Sequence, residues 1–354
     1  MPVVLSMLTL VPGGMGGSET YARELIRELA DRPLQVATLV SPVGQGFSSG
    51  VPVKVAQSYR TGQSQAQRTL ALLLGTLRSR SLSRQLSGAS VVHYPFTVPV
   101  PAARNGQRTV VSLLDVQHHD LPQLFSLAER LYRSRTYDRA ARRADAVITI
   151  SDFAKARIVE VLGIAEARVH VAHLGVRTEE FVPQLSGRGR FLLYPAKGWP
   201  HKNHSRLFDA FRLLRQQQPD LELVLTGATS DELPAPPAGV QVRGQVSRAE
   251  LVGLYGSAAA LVFPSRYEGF GLPVIEAMSS GCPVAAAAAG SLPEVVGDAG
   301  VLFDPDDPQD IARGVLEALE RSTELQQLGL DRAGQFTWSA CADVHEQVYR
   351  SLGG

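Results

Sequence analysis

The chain has 354 residues, enough for two domains at ~100–200 residues each, and its 44% hydrophobic and 19% charged residues describe a globular chain able to bury a core. A net charge of +1 supplies no global field that would single out nucleic acid as a partner. The two cysteines, Cys282 and Cys341, make neither a disulfide framework nor a metal cage, and they point to a reducing compartment.

The apolar stretch 1–11 has no basic residue ahead of it and runs into a glycine cluster, so it reads as a buried first strand rather than a signal peptide. No run reaches the ~18 apolar residues of a membrane span, and a cytoplasmic chain is expected. Apolar runs at 3–10, 36–40, 91–94, 109–114, 146–150 and 169–171 alternate with helically spaced segments at 19–29, 66–86 and 128–141. Such alternation predicts parallel strands covered by helices. At 183–190 the texture changes to a polar, glycine-bearing Pro-Gln-Leu-Ser-Gly-Arg-Gly-Arg, which reads as a linker. Beyond it come strands at 191–195, 221–226, 259–263 and 284–287, and helices at 205–215, 248–255, 273–280 and 308–319. Ser247 with Glu250, and Ser291 with Glu294, fit capping boxes. The stretch 340–352 reads as a last helix. The expectation is an α/β chain with a first domain at 1–182, a second at 190–338 and a terminal helix at 339–354. Ligands of open parallel sheets bind beyond the carboxyl ends of the strands, so two such halves facing each other would hold the site in the cleft between them.

Chemistry concentrates in a few loops. Ser265-Arg-Tyr-Glu-Gly-Phe-Gly-Leu-Pro-Val-Ile-Glu276 follows a strand and opens a helix. Gly269 and Gly271 let the backbone turn closely around a ligand, and Pro273 suits a first helical turn, whose unpaired N–H groups favour an anion. Glu268 and Glu276 are wrong for the anion itself but suit hydroxyl groups on either side of it, such as a sugar and a ribose. The alternative is a strand–loop–helix corner with both glutamates solvated. Tyr194-Pro-Ala-Lys-Gly-Trp-Pro-His-Lys-Asn-His204 follows the first strand of the second half. Of 35 basic residues only four are lysine, yet Lys197 and Lys202 stand five apart here, as if a compact point charge were wanted. Ammonium groups at that edge would stabilise charge growing on a departing diphosphate. His201 and His204 in the same loop lack a third ligand for a metal.

Gly13-Gly-Met-Gly-Gly17 lies between a strand and a helix, as a loop near phosphate would. A dinucleotide dehydrogenase would carry an acid at the end of strand two, where Leu39-Val40-Ser41 stands, and no Walker lysine follows the glycines. Those readings fall away.

Together these segments resemble the group 1, or family 4, retaining glycosyltransferases of GT-B fold. The glutamates eight apart and the basic pair five apart match that family, as do Gly281-Cys-Pro-Val284, Ser291-Leu-Pro-Glu294 and Gly300-Val-Leu-Phe-Asp304. The resemblance implies two Rossmann-like domains facing across a cleft, with a C-terminal helix crossing back onto the first. It implies transfer of a hexose or deoxyhexose (mannosyl, rhamnosyl or glucosyl) from a nucleoside-diphosphate sugar to a glycan or lipid-linked acceptor in cell-surface polysaccharide assembly. No cofactor and no metal are implied. Glu268 would contact the donor sugar and Glu276 the ribose. Backbone amides around Gly269, Phe270, Gly271 and Leu272 would contact the donor, Lys197 and Lys202 would neutralise the diphosphate, and the loop of Gly16 and Gly17 would close over donor phosphates and acceptor.

One departure bears on catalysis. Many members have a histidine immediately before the aspartate of Leu113-Leu-Asp-Val-Gln-His-His-Asp; this chain has Leu114 there. The Gln117-His118 pair is the candidate substitute, with the His118 imidazole contacting donor sugar or acceptor hydroxyls and a structural hydrogen-bonding role as the alternative. A non-catalytic sugar-nucleotide-binding paralogue and a sugar-nucleotide epimerase are the rival functions. Three features stand apart: Asp304-Pro-Asp306 reads as a turn before a helix rather than a metal site; Ser151 reads as an N-cap; and the segment 129–143 carries six arginines that could meet an anionic membrane or simply face solvent.

Overall fold

The computed structural model describes residues 1–59 and 79–353. The chain divides into two compact units: the first joins Met1–Leu174 with Trp338–Gly354, and the second is Gly175–Thr337.

In the first unit the strands are β1 (Pro2–Met7), β2 (Gln35–Val40), β3 (Val53–Val55), β4 (Val91–Tyr94), β5 (Arg108–Ser112), β6 (Ala146–Thr149) and β7 (Val169–Val171). They form one parallel sheet in the order β3-β2-β1-β4-β5-β6-β7. In the second unit β8 (Phe191–Pro195), β9 (Glu222–Thr226), β10 (Val240–Val242), β11 (Ala260–Phe263), β12 (Val284–Ala287) and β13 (Val301–Phe303) form a parallel sheet in the order β10-β9-β8-β11-β12-β13. Both faces of each sheet are covered by helices, which is why β4, β6, β11 and β12 are unbroken buried runs rather than alternating ones. The order in which strands are added reverses once in each sheet, between β1 and β4 in the first unit and between β8 and β11 in the second. The connections after those strands diverge and leave a crevice at their carboxyl ends.

The short edge strands β3, β10 and β13 and the helix Ser322–Ala333 were not foreseen. Of the expected helix at 66–86, residues 66–78 lie outside the described residues; Ser79–Ser83 is helical and Arg84–Leu86 is a single 3-10 turn. The expected helix at 128–141 is interrupted: Leu127–Arg133 and Arg139–Arg143 are α-helical, and Ser134–Asp138 between them is a π-turn. The expected linker at 183–190 is fastened to the second unit. There the Arg188 guanidinium donates to the carbonyls of Tyr255, Ala258 and Ser280 at 3.0, 2.8 and 2.7 Å.

The C-terminal helix Trp338–Gly353 packs on helix Gly17–Ala30 and touches β4, β5 and β7. Leu25, Ile26 and Leu29 are fully buried on Gly17–Ala30, each contributing ~1.5–3 kcal/mol relative to exposure. A buried hydrogen-bond chain runs through this contact. His345 Nδ1 meets the Cys341 carbonyl at 2.7 Å, and a carbonyl only accepts, so Nδ1 carries the proton and Nε2 the lone pair. Tyr21 OH therefore donates to His345 Nε2, Ser112 Oγ to Tyr21, His93 Nε2 to Ser112, and Tyr349 OH to His93 Nδ1, each at 2.7 Å. Burial pushes His345 down to about 4, and burial with the neighbouring His345 holds His93 well below the usual histidine range. Both rings are thus neutral, as the chain of donors requires.

Candidate functional site

In the second unit the reversal of strand order brings two loops side by side, one following β8 and one following β11. The first is stiff. Gly198 packs so closely on Glu232 that a Cβ would stand 2.4 Å from the Glu232 Cβ and 2.9 Å from its carbonyl oxygen. Pro200–Lys202 then makes a 3-10 turn ending at Asn203, in the left-handed region at φ 63. Its amide donates to the carbonyls of Pro264 at 3.1 Å and Pro305 at 2.7 Å, tying this loop to those after β11 and β13. Tyr194 OH donates to the Lys202 carbonyl at 2.6 Å, and Arg266 N–H to the His201 carbonyl at 2.9 Å.

With its backbone held this way, Lys202 directs Nζ to Glu268 Oε1 at 2.6 Å, and both side chains are only 14% exposed. Lys197 is exposed earlier in the same loop, without an ion-pair partner among the described residues. Burial, then the Lys202 charge, pushes His201 and His204 down to about 4, so the loop's cationic charge is that of its lysines. A cavity of about 580 Å³ opens against the loop, lined by Gly198, Trp199, His204, Arg206, Glu232 and Arg266 among others.

The loop after β11 is shaped by glycines and one serine. Gly271 has φ 111, and a Cβ there would lie 2.8 Å from Leu292 Cδ2. Gly290, at φ 60, lies against Glu268; a Cβ would sit 2.9 Å from both the Glu268 nitrogen and its carbonyl oxygen. Ser291 was expected to cap its own helix with Glu294, but it does not: it lies in helical geometry with no capping bond. Its hydroxyl turns instead to the Phe270 carbonyl at 2.7 Å and the Glu268 carbonyl at 3.0 Å, so the serine serves the neighbouring loop. Ser247, by contrast, does cap its helix, accepting from Glu250 N–H. Helix Leu272–Ser279 begins directly after Gly271 with Pro273 in its first turn. Its first-turn amides lack intrahelical acceptors by construction. Phe270 is buried edge-on to Phe336, with ring centroids 5.5 Å apart, and Leu272 is half-buried.

Glu276 is buried one turn into that helix. Its Oε1 accepts from Arg248 Nη1 at 2.6 Å and its Oε2 from Tyr255 OH at 2.9 Å. Burial pushes its carboxyl above the usual range, against the opposing pull of Arg248. Arg248 also donates to Glu180 Oε2 at 3.0 Å. The two glutamates thus sit in separate ion pairs, Glu268 with Lys202 and Glu276 with Arg248. Sequence reasoning did not find Arg248, Tyr255 or Glu180: their only sequence mark is a helix start at Arg248, and nothing in spacing announces a partner 28 residues away.

In the first unit Gly16 and Gly17 stand at the start of helix Gly17–Ala30. Gly13 (φ 76) and Gly16 (φ 54) have open space where a Cβ would go, so glycine is there for its backbone angle rather than for crowding. Gly13 N–H donates to Glu19 Oε2 at 2.8 Å. His118 lies in the short helix Gln117–Asp120, after β5, and is buried. Its Nε2 meets Asp138 Oδ1 at 3.1 Å, while His119 Nε2 meets Asp138 Oδ2 at 2.8 Å. These ligand atoms lie within 4.8 Å of one another, and the two N–H···O contacts account for that clustering. An ionised carboxylate only accepts, so the His118 Nε2 carries a proton and, in the neutral ring, Nδ1 carries the lone pair; that Nδ1 is buried without a partner. The π-turn aims Asp138 inward here, consistent with the recurrence of such turns at functional sites. Asp304 and Asp306 do form a turn, Asp306 N–H donating to Asp304 Oδ1 at 2.8 Å, and the helix cap that follows is Asp307.

Two family models match the chain: "Glycosyltransferase Family 4" over residues 15–180 and "Glycosyl transferases group 1" over residues 176–330. Among curated proteins, the O-antigen chain mannosyltransferase B of Escherichia coli is 29% identical over 70% of this chain and 71% of its own length. The MMP alpha-(1->4)-mannosyltransferase of Mycolicibacterium hassiacum is 33% identical over 60% of this chain, which spans only 55% of that relative's length. Among solved structures, the sucrose-phosphate synthase of Thermosynechococcus elongatus superposes with a TM-score of 0.77, at 20% identity and 99% coverage of both chains, a likeness of fold. Among the described residues no helix is long and apolar enough to cross a membrane.

Proposed function

The chain belongs to the group 1, family 4 glycosyltransferases of GT-B fold, which move a sugar from a nucleoside-diphosphate donor to a glycan or lipid acceptor; from that premise we propose how its residues divide the work. The second unit takes the nucleotide sugar and the first takes the acceptor. The sugar is a hexose or deoxyhexose, with mannose favoured because two relatives are mannosyltransferases, and the setting is cell-surface polysaccharide assembly.

One observation carries this reading: Lys202 and Glu268, far apart in sequence, meet at 2.6 Å where the strand order of the second sheet reverses. A diphosphate in that crevice would draw the Lys202 ammonium, with Lys197 added from the same loop and the first-turn amides of Leu272–Ser279 below. Glu268 would then be free to accept from donor-sugar hydroxyls. Glu276 uses two of its roughly four lone-pair positions on Arg248 and Tyr255, which leaves capacity for ribose hydroxyls. The amides of Gly269, Phe270 and Gly271, held by Ser291, would complete the donor contact, and the loop of Gly16 and Gly17 would close over it. His118, held through Nε2 by Asp138, would contact a donor-sugar or acceptor hydroxyl with its other ring nitrogen. Transfer proceeds with retention of configuration: the bond from the anomeric carbon to the diphosphate oxygen breaks, the acceptor oxygen bonds to that carbon from the same face, and the departing phosphate oxygen takes the acceptor's proton. The lysines stabilise the negative charge left on the diphosphate, and no metal is needed for that role. The arginine-rich 129–143 makes peripheral contact with an anionic membrane on the cytoplasmic side.

The test is donor turnover across GDP-, UDP-, dTDP- and ADP-sugars, following free nucleotide, with the anomer of the product read by NMR. Release of nucleotide from one donor and an α-product from an α-donor are expected. No turnover of any nucleotide sugar, or an inverted product, would overturn the proposal.

A further inference from the structure

The arginines of 127–143 border a feature that the proposed sugar transfer does not use. A cavity of about 550 Å³ opens in the first unit, lined by Tyr94 at the end of β4, Val98, Val100, Ala103, Val111 on β5, and Ala140. Arg135, Arg139 and Arg143 line the same cavity. No carboxylate lines it among the described residues, and none of the three arginines has an ion-pair partner there. Their neighbours are engaged: Arg142 Nε donates to the Leu162 carbonyl at 3.0 Å, and Arg133 stacks on Phe125.

The lining is unsuited to a sugar. Three of its hydroxyls are committed within the protein: Tyr94 to the Pro101 carbonyl at 2.7 Å, Thr136 to the Tyr132 carbonyl at 2.6 Å and Thr109 to Asp145 at 3.0 Å. Besides the Tyr132 hydroxyl, what remains is apolar wall with guanidinium groups, the side chain suited to holding phosphate through paired N–H donors. Leu127 and Leu131, on the helix that leads into these arginines, are 79% and 50% exposed.

We propose that this cavity takes the hydrocarbon chain of an anionic lipid, with Arg135, Arg139 and Arg143 on its phosphate. Leu127 and Leu131 enter the acyl layer alongside. The inference rests on the reading of 129–143 as a membrane-facing segment and deepens it: the contact is a chain-and-phosphate site rather than surface adsorption. A chain and a charge together give the two signals that stable peripheral binding needs.

Titration calorimetry with decyl phosphate below its micellar concentration, decanol and inorganic phosphate tests it. Decyl phosphate should bind about tenfold or more tighter than either half alone. Arg135→Gln/Arg139→Gln should reduce decyl phosphate to the level of decanol, and Ala103→Phe, which fills the cavity, should reduce it to the level of phosphate. If Ala103→Phe melts early, Ala102→Trp supplies the block from an exposed position in the lining. Equal binding of decyl phosphate and inorganic phosphate, or unchanged binding by a folded, cavity-filled variant, overturns the chain site. Cosedimentation with phosphatidylcholine vesicles, with and without phosphatidylglycerol, reports separately on the membrane reading. Equal pelleting overturns that reading alone, while retained phosphatidylglycerol binding without decyl phosphate binding overturns the cavity alone.

Discussion

Lys202→Ala should leave a folded protein that turns over its donor about 100 to 1000 times more slowly. The figure follows from removing one preorganised cationic donor, ~2.7–4 kcal/mol of transition-state stabilisation, at about 1.36 kcal/mol per tenfold. The same substitution strands Glu268, whose carboxylate loses its 2.6 Å partner. Breaking a fully buried pair costs ~3–5 kcal/mol and a surface pair ~0–1 kcal/mol; at 14% exposure the pair lies between, about 1–3 kcal/mol. The two effects separate experimentally. The rate is read as kcat at saturating donor well below the melting temperature, and the stability as the shift in Tm. Glu268→Gln, which removes the carboxylate charge but keeps the lysine, should reverse the order: a small change in Tm and a loss concentrated in sugar binding. Lys202→Arg keeps charge but replaces a compact ammonium with a planar fork, and should restore stability more fully than rate. A Lys202→Ala enzyme within tenfold of the parent kcat at full donor saturation refutes the assignment of diphosphate stabilisation to this residue.

Other outcomes follow from the same geometry. Gly290→Ala should lower Tm and weaken donor binding together, because its Cβ would press on Glu268 at 2.9 Å and its φ of 60 disfavours a side chain; calorimetry of nucleotide binding checks both. Glu276→Gln should raise KM for the nucleotide sugar and loosen Arg248, whereas an unchanged donor KM together with an unchanged Kd for free nucleotide would remove Glu276 from the ribose role. Stability should fall in acid through His345. The unfolded ring binds a proton near 6.5 and the folded one only near 4, so a contribution of up to roughly 3 kcal/mol, intact above pH 6.5, drains away as pH falls toward 4. Thermal melts of His345→Gln should show a flatter dependence over that window.

The parallel α/β layout was legible because strands buried on both faces must be apolar throughout, and the helices between them carry a periodic stripe; 91–94, 191–195 and 284–287 were placed to the residue for this reason. The edge strands β3 and β10 escaped because none of their three residues is fully buried, and β13 because a three-residue run is too short to stand out; β7, equally short, was foreseen at 169–171. The π-turn at Ser134–Asp138 escaped because it adds one residue to a turn without altering composition. Glu268 was nameable because it flanks a glycine-bearing corner that opens a helix, Lys202 because lysine is rare in this chain and two stand five apart, and the family resemblance assigned both their roles. That Lys202 is aimed at Glu268 and Lys197 is exposed, that Glu276 pairs with Arg248, and that Ser291 leaves its own helix to hold the Glu268 loop were decided only by tertiary structure. Each depends on which strands lie side by side, and that neighbourhood is set by the folding of the whole sheet, so no local stretch of residues encodes it.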